Sequence, residues 1–143
     1  MDLDQYKSWV VMPEDGEIQA GQGETAMPIA TRYVYIVSMD VAPEKEALFN
    51  EVYDTEHVPL LSKVPGVVKV TRMELQPLIR AVDGRPVEVP SGGAAKFTAL
   101  YEIEDPAVLV SQEWTDAVDQ GRWPGMVRPY TSNRQHLLRK VIG

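Results

Sequence analysis

The clearest pattern of hydrophobic and polar positions lies in RYVYIVSMDV, residues 32–41. Apolar and aromatic side chains occupy both alternating sets of positions, so both faces of this segment are hydrophobic. This pattern predicts a central β-strand that is covered on both faces. Three further segments have strand patterns bounded by turn residues: VVKVTRMELQ (67–76), KFTALYEIE (96–104) and RQHLLRKVI (134–142).

Helical spacing first appears in APEKEALFNEVYDTEHVPLLSKV, residues 42–64. Pro43 is tolerated in a first helical turn, and Phe49, Tyr53 and His57 share one helix face that should point toward the sheet. Pro59 cannot continue an α-helix smoothly, because its ring would collide with the carbonyl of Thr55. We therefore expect this helix to end or kink near His57.

A second helix is predicted in DPAVLVSQEWTDAVDQG, residues 105–121. Asp105 is a suitable N-cap, Pro106 suits the first helical position, and Gly121 marks the end. Between the second and third strands, residues 77–94 form a long connection, in which Asp83-Gly84 suggests a small hairpin.

The elements follow the order β-α-β-β-α-β, which predicts an α+β, ferredoxin-like fold with both helices on one face of an antiparallel sheet. The first strand is apolar on both sides, so the uncovered face should be buried against a second copy of the chain. The sequence therefore predicts a homodimer built as an α/β barrel. Residues 1–30 lack a sustained period and read as an irregular arm, which leaves residues 31–143 as the barrel domain.

Composition narrows the classes of partner and compartment. The chain of 143 residues carries 14 Lys and Arg against 21 Asp and Glu, a net charge of −7, and no basic run, which argues against nucleic-acid binding. No run approaches the length of a membrane span, and the N-terminus lacks the order of a signal peptide, so we expect a cytoplasmic protein that does not enter a membrane. The absence of cysteine excludes thiol chemistry by the chain's own residues.

His57 is the first candidate for chemistry. The end of a helix and the neighbouring Asp54 and Glu56 would raise its pKa, whereas burial would lower it. Capping of the helix end by His57 is the alternative to a catalytic role. The only other histidine is His136, and no metal-ligand spacing is present, so neither a metal nor another cofactor is expected.

Further candidates lie on the predicted strands and helices. Arg72, in the second strand, would bind a substrate or form a salt bridge with Glu74, Glu102 or an acid of the second copy. The aromatic candidates for the lining of a pocket are Tyr33, Tyr35, Phe49, Tyr101 and Trp114, each of which also suits a hydrophobic core. No phosphate-binding glycine loop or nucleophile elbow is present, so ATP and NAD enzymes are set aside.

The order of YVYIVSMDV, a helix ending in YDTEHVPLL, a VPGV turn and VVKVTRMEL resembles the dimeric α/β-barrel proteins, and within them the EthD-like group. Members of that group often carry a helix-borne His followed by Pro and Leu before a Pro-Gly turn. The resemblance covers residues 32–75 closely and the remainder by element order. It implies a compact pocket between the sheet and the helices of each subunit, used for small, often aromatic or polyketide-like compounds.

Two hypotheses for function follow from the residues and the resemblance. The first is a cofactor-free isomerase, cyclase or decarboxylase, in which His57 is the general acid or base and Tyr53 or Arg72 stabilises an oxyanion. A haem or metal enzyme that uses His57 or His136 as a ligand is a weaker variant. The second hypothesis is a small-molecule binding protein of the same fold.

The predicted homodimer is testable on the purified chain. Light scattering at micromolar concentration should report about twice the chain mass of 16.0 kDa, because the second sheet face needs a partner. A stable monomer at that concentration would contradict the barrel.

Overall fold

The computed structural model describes residues 28–143, and almost all of the predicted arm of residues 1–30 lies outside them. The described chain contains two compact units. The larger unit comprises residues 29–75 and 95–143, and the smaller one includes residues 76–94. The assignment of residues 31–143 to one domain stays a prediction.

A four-stranded sheet organises the larger unit. Its strands are β1 (Tyr33–Val41), β2 (Val67–Glu74), β5 (Phe97–Ile103) and β6 (Thr131–Lys140), in the spatial order β2-β5-β1-β6. Every neighbouring pair is antiparallel. With the helices between β1 and β2 and between β5 and β6, this is the ferredoxin-like order, and the predicted fold class is confirmed. All four strands lie within three residues of their predicted bounds.

The hydrophobic core lies between one face of this sheet and the helices. On β1 the alternating positions Val37 and Met39 are buried on that face, and Tyr35 is opposite Tyr101 on β5. The core combines aromatic and branched side chains, which fill space with few rotamers. The largest fully buried side chains are Tyr101, Phe49, Leu61, Ile103, Val52 and Val127.

The first helical segment is irregular at the place where the sequence predicted an end or a kink. It begins with a 3-10 turn (Pro43–Lys45) and α1 (Glu46–Val52), widens into a π-helical turn (Tyr53–His57), and continues as α2 (Val58–Ser62). The helix therefore does not end near His57. In the wide turn the Val58 amide donates to the carbonyl of Tyr53, five residues earlier. A π turn directly before Pro59 keeps the helix continuous although Pro59 supplies no amide donor and its ring would collide with an α-helical Thr55 carbonyl.

The second helical segment is broken in two. Asp105 caps a 3-10 turn (Pro106–Val110) by accepting from the Ala107 amide at 2.8 Å, and Ser111 then caps the separate helix α3 (Gln112–Val118). The Ser111 hydroxyl accepts from the Trp114 amide at 3.1 Å and donates to the Val108 carbonyl at 2.7 Å. The continuous helix predicted from Asp105 is thus wrong, because the extended backbone at Ser111 starts a new helix.

In the smaller unit the predicted hairpin is present. Strands β3 (Leu78–Val82) and β4 (Arg85–Val89) pair antiparallel around a two-residue turn. Asp83 and Gly84 have φ values of 52° and 78°, which is the left-handed backbone that an Asp-Gly hairpin turn requires.

The sheet face opposite the helices is apolar at its centre. Ile36 on β1 lies between Leu100 on β5 and Leu137 on β6, and all three side chains are partly buried. Beside this row, Val34 faces the buried Glu102, whose Oε1 accepts from the Ala30 amide at 2.7 Å.

Replacing Pro59 tests the origin of the π turn. Pro59→Ala restores an amide donor at position 59 and removes the ring, so we expect the turn to relax toward α-helix and the NMR resonances of His57 to shift. The free energy of unfolding should change by less than about 1 kcal/mol, since a helix-compatible alanine replaces a strained site. Pro43→Ala, in the preceding 3-10 turn, is the matched control. Unchanged His57 resonances in Pro59→Ala would show that the proline does not cause the π turn.

Candidate functional site

A cavity of about 360 Å³ lies between the inner sheet face and the helices of the larger unit. A volume of this order suits a small organic ligand. The wall is aromatic, with two histidines among the rings: Tyr35, Tyr53, Tyr101, Trp114, Trp123, His57 and His136. The charged residues of the lining are Asp119, Arg128 and Arg134, which we call the rim.

His57 is packed into this wall with only 5% of its surface exposed. Its ring stacks on the Trp123 ring with centroids 4.3 Å apart and planes at 21°, and the edge of Tyr53 meets it at 5.0 Å. Among the described residues, its Nδ1 has no hydrogen-bond partner, although the atom is buried. A buried, unpaired ring nitrogen is an unfavourable arrangement in a core.

Burial decides the charge state of His57. Loss of hydration, followed by repulsion from the Arg128 guanidinium, lowers its pKa from 6.5 to about 4. The acids expected to raise this pKa are engaged elsewhere: Asp54 pairs with Arg72, and Glu56 pairs with Arg122. The competition left open by the sequence is therefore resolved toward a neutral imidazole at pH 7. The capping alternative is wrong, because the helix continues past His57.

An ion pair fastens the π turn to the segment that carries Trp123. The Glu56 carboxylate accepts from the amide of Arg122 at 2.9 Å and from its Nε at 2.5 Å. These bonds lower the pKa of Glu56. Gly121 has a φ of 73°, and a Cβ there would lie 2.6 Å from Glu56 Oε1. Glycine at this position therefore permits the close approach that sets Trp123 against His57.

Two tyrosine hydroxyls meet inside the cavity wall. Tyr53 and Tyr101 are 3% and 2% exposed, and their hydroxyl oxygens lie 3.4 Å apart. Burial raises the pKa of both phenols, well above the usual value for Tyr101, so both remain protonated at pH 7. One of the two protons suffices for their mutual hydrogen bond, which leaves the other hydroxyl proton outside it.

The second histidine extends the polar wall. The Tyr35 hydroxyl lies 2.7 Å from Nδ1 of His136 on β6. Burial raises the pKa of Tyr35 and, with repulsion from Arg134, lowers the pKa of His136. Both groups are therefore neutral at pH 7, so the tyrosine donates and the imidazole nitrogen accepts.

The structure brings together five of the eight predicted site residues: Tyr35, Tyr53, His57, Tyr101 and Trp114 line the cavity. The other three lie outside its lining. Tyr33 and Phe49 pack in the core, and Phe49 contacts the rings of Tyr53 and Trp123.

Arg72 lies over the Tyr53 ring rather than in the cavity, with its guanidinium carbon 4.6 Å from the ring centroid. It donates to Asp54 and to Asn50, each at 2.7 Å. A salt bridge was the alternative expected for Arg72, but its acid is Asp54 and not Glu74 or Glu102. Arg72 can influence the cavity by holding Tyr53 in place.

Five residues of the wall and rim were not among the predicted site residues: Asp119, Trp123, Arg128, Arg134 and His136. Trp123 and Arg128 belong to the turn-rich segment WPGMVRPY, whose π-helical and 3-10 turns have no sequence period. Arg134 and His136 follow the alternation of β6, where His136 is opposite Val37 on the inner face. That alternation is the one sequence signal that could have revealed them.

Metal binding finds no support in residues 28–143, where no group of three or more carboxylates and imidazoles is placed to hold an ion. Among the helices of the same residues, none is long and apolar enough to cross a membrane. The expected cytoplasmic location stays a prediction.

Comparison with solved structures finds similar chains. The structure is similar to that of an ethyl tert-butyl ether D (EthD) family protein from Bacillus halodurans, with 13% identity, a TM-score of 0.48, and coverage of 77% of this chain and 99% of that one. It is also similar to an antibiotic biosynthesis monooxygenase, with 12% identity, a TM-score of 0.49, and coverage of 78% and 99%.

Sequence comparison adds little to this picture. No protein-family model matches the chain. ATP-binding cassette sub-family A member 7 of Rattus norvegicus is 31% identical over 117 residues, which is 76% of this chain and 5% of that protein. The chain thus spans about one twentieth of the curated relative.

The buried His57 should make the protein acid-sensitive. Its native pKa of about 4 lies below the unfolded value of 6.5, so the unfolded chain binds a proton that the native state excludes between those values. The stability that the neutral His57 contributes to the native state is fully present above pH 6.5 and is lost as the pH falls toward 4. We expect the free energy of unfolding, measured with urea, to fall by roughly 2–3 kcal/mol between pH 7 and pH 4.5 because of this group.

The variant His57→Gln isolates that contribution, because the neutral amide cannot titrate while the acids of the chain remain. Its stability should fall less between pH 7 and pH 4.5 than that of the unaltered protein. In NMR titrations His57 should protonate only near pH 4, after His136. Identical pH slopes for the two proteins would refute a neutral, buried His57.

Proposed function

We propose that the chain is a cofactor-free enzyme of isomerase, cyclase or lyase type, which acts on a small, aromatic or polyketide-like carbonyl compound. One observation carries this proposal: a buried histidine with an unpaired nitrogen shares a cavity wall with a pair of protonated tyrosine hydroxyls. A proton acceptor and an oxyanion donor in one enclosed site are the two groups that enolisation requires.

His57 is proposed as the general base. At pH 7 it is neutral and can take a proton from a carbon next to the carbonyl group. Placing that proton on His57 costs about 4 kcal/mol at pH 7, because its pKa of about 4 lies three pH units lower. The negative charge that develops on the substrate attracts the imidazolium and offsets part of this cost.

Tyr53 and Tyr101 are proposed as the donors to the developing oxyanion. The hydroxyl proton that their mutual hydrogen bond leaves over can point to the carbonyl oxygen of a ligand. Arg72 is assigned the role of a positioning residue. Its guanidinium packs over the Tyr53 ring and is not part of the cavity lining.

The proposed ligand is flat and largely apolar. Tyr35, Trp114 and Trp123 present ring surface to a cavity of about 360 Å³, and aromatic walls favour planar ligands by stacking. The Tyr35 ring also contacts Tyr101 and Trp114, with centroid distances of 5.7 and 5.8 Å respectively. These contacts between the rings hold the aromatic wall in place.

A small-molecule binding protein is the second candidate. The observation in its favour is the pKa of about 4, together with an Nδ1 that no group in residues 28–143 orients by a hydrogen bond. Efficient general bases usually have a pKa closer to the working pH and an orienting partner. Under this hypothesis, His57 only hydrogen-bonds a ligand.

The proposed assembly is the homodimer predicted from the sequence, formed by residues 31–143 through the sheet face opposite the helices. The apolar row of Ile36, Leu100 and Leu137 crosses three strands of that face. Two-fold pairing would bury this row against its own copy, which is the usual arrangement in a symmetric dimer.

Deuterium exchange separates the two candidate functions. The protein is incubated with 2-tetralone, an aromatic ketone with an acidic carbon next to its carbonyl, in D₂O at neutral pH. Enzymatic enolisation should replace those hydrogens by deuterium faster than buffer does, and His57→Asn should reduce the acceleration by about 10²–10⁴. The asparagine amide still hydrogen-bonds but does not transfer protons at this pH.

Gln135→Ala, on the opposite face of β6 from His136, is the control and should exchange at the unaltered rate. Binding of the ketone without accelerated exchange would favour the binding protein. Full acceleration by His57→Asn would remove His57 from the catalytic role.

A further inference from the structure

The rim of the cavity has a charge opposite to that of the chain. The whole sequence carries a net charge of −7, whereas the charged residues of the cavity lining are Asp119, Arg128 and Arg134. Two guanidinium groups and one carboxylate leave this rim with an excess of one positive charge. A positive rim on an acidic protein concentrates anions at that position.

Arg128 is partly neutralised by its neighbours. Its Nη2 donates to Asp119 Oδ1 at 3.1 Å and to the Val118 carbonyl at 3.4 Å. The side chain is 32% exposed, so this ion pair meets solvent. The positive charge of Arg128 therefore acts on His57, but one of its guanidinium nitrogens is already hydrogen-bonded to neighbouring residues.

Arg134 is the guanidinium without a carboxylate partner among the described residues. Its Nε donates to the Thr131 hydroxyl at 2.9 Å and its Nη2 to the Arg128 carbonyl at 3.2 Å. These two bonds hold the side chain at the cavity and leave its positive charge unpaired. An arginine held by neutral acceptors keeps donors for an incoming anion and loses little rotamer freedom when it binds.

The alternation of β6 directs Arg134 toward the cavity. His136 and Arg134 both line it, whereas Gln135 and Arg139 are opposite Ser38 and Val34 on the other face of the sheet. Arg139 is therefore an arginine on the same strand, with the same charge, outside the cavity.

We propose that the rim is an anion subsite, in which Arg134 binds the acid group of a substrate whose aromatic ring lies against the cavity wall. This inference rests on the proposed function and narrows its substrate class to aromatic carbonyl compounds that carry a carboxylate or a similar acid. The acid group binds at the rim, and the reacting carbon lies deeper, toward His57.

Anion binding at the rim also affects the proposed base. Arg128 lowers the pKa of His57, so a negative charge beside Arg128 weakens that repulsion and raises the pKa toward neutrality. The anionic substrate would thereby make His57 a better base than it is in the unliganded protein. A neutral analogue would bind the same wall without this effect.

The test compares 2-naphthoate with 2-naphthamide, two flat probes that differ in the charge of one group. Isothermal titration at low ionic strength should give at least tenfold tighter binding of the naphthoate. Arg134→Gln should bring the affinity for naphthoate close to that for naphthamide and leave the amide unaffected. Arg134→Lys retains the charge without the fork and should keep part of the preference. Salt at 300 mM should reduce the preference of the unaltered protein for naphthoate.

Arg139→Gln is the matched control and should retain the full preference for naphthoate, since it removes the same charge from the opposite face. Equal affinities of the two probes for the unaltered protein would overturn the proposal, as would failure of both to bind at millimolar concentration. If Arg134→Gln and Arg139→Gln lost the preference for naphthoate equally, the preference would depend only on net charge. That result would also overturn the proposal.

The variant His57→Asn separates this inference from the proposed catalysis. It should retain the preference for naphthoate, because the anion subsite does not depend on proton transfer. A protein that needs His57 for deuterium exchange but shows no Arg134-dependent preference would keep the proposed function and lose the anion subsite.

Discussion

The stacking of Trp123 on His57 is the contact on which the cavity depends. It packs the imidazole against Trp123 and Tyr53, and the resulting burial keeps His57 neutral at pH 7. The Glu56–Arg122 ion pair holds the two chain segments in this arrangement, and the absence of a side chain at Gly121 gives the carboxylate room. The cavity wall between helix and loop is therefore a consequence of one stack and one ion pair.

Burial has opposite effects on the two kinds of titratable group in the wall. Desolvation lowers the pKa of an imidazole and raises that of a phenol, so burial, nearly complete at His57, Tyr53 and Tyr101 and partial at the others, favours the uncharged form of both histidines and all three tyrosines. Within residues 28–143, the formally charged side chains of the lining are Asp119, Arg128 and Arg134. The result is a neutral, hydrogen-bonding interior with a charged entrance, which favours ligands that have an apolar body and an acidic end.

Sequence periodicity was sufficient for the sheet and for much of the wall. Strand patterns predicted β1, β2, β5 and β6, and helical spacing placed Tyr53 and His57 on one face. The collision at Pro59 was foreseeable, but spacing did not predict that the helix would widen into a π turn and continue. Trp123 lies in a segment without a hydrophobic period, so spacing could not predict its stacking on His57. Arg72 pairs with Asp54, which was not among the acids considered for it, so spacing did not predict this salt bridge either.

The stack of His57 on Trp123 also links folding to proton release. Glu56 and Arg122 are 66 residues apart in the chain, so the ion pair that holds the stack is made only when distant segments come together. In the unfolded chain His57 is hydrated and takes up a proton in mildly acidic solution. Folding at such a pH must then expel that proton, because the native pKa of His57 is about 4.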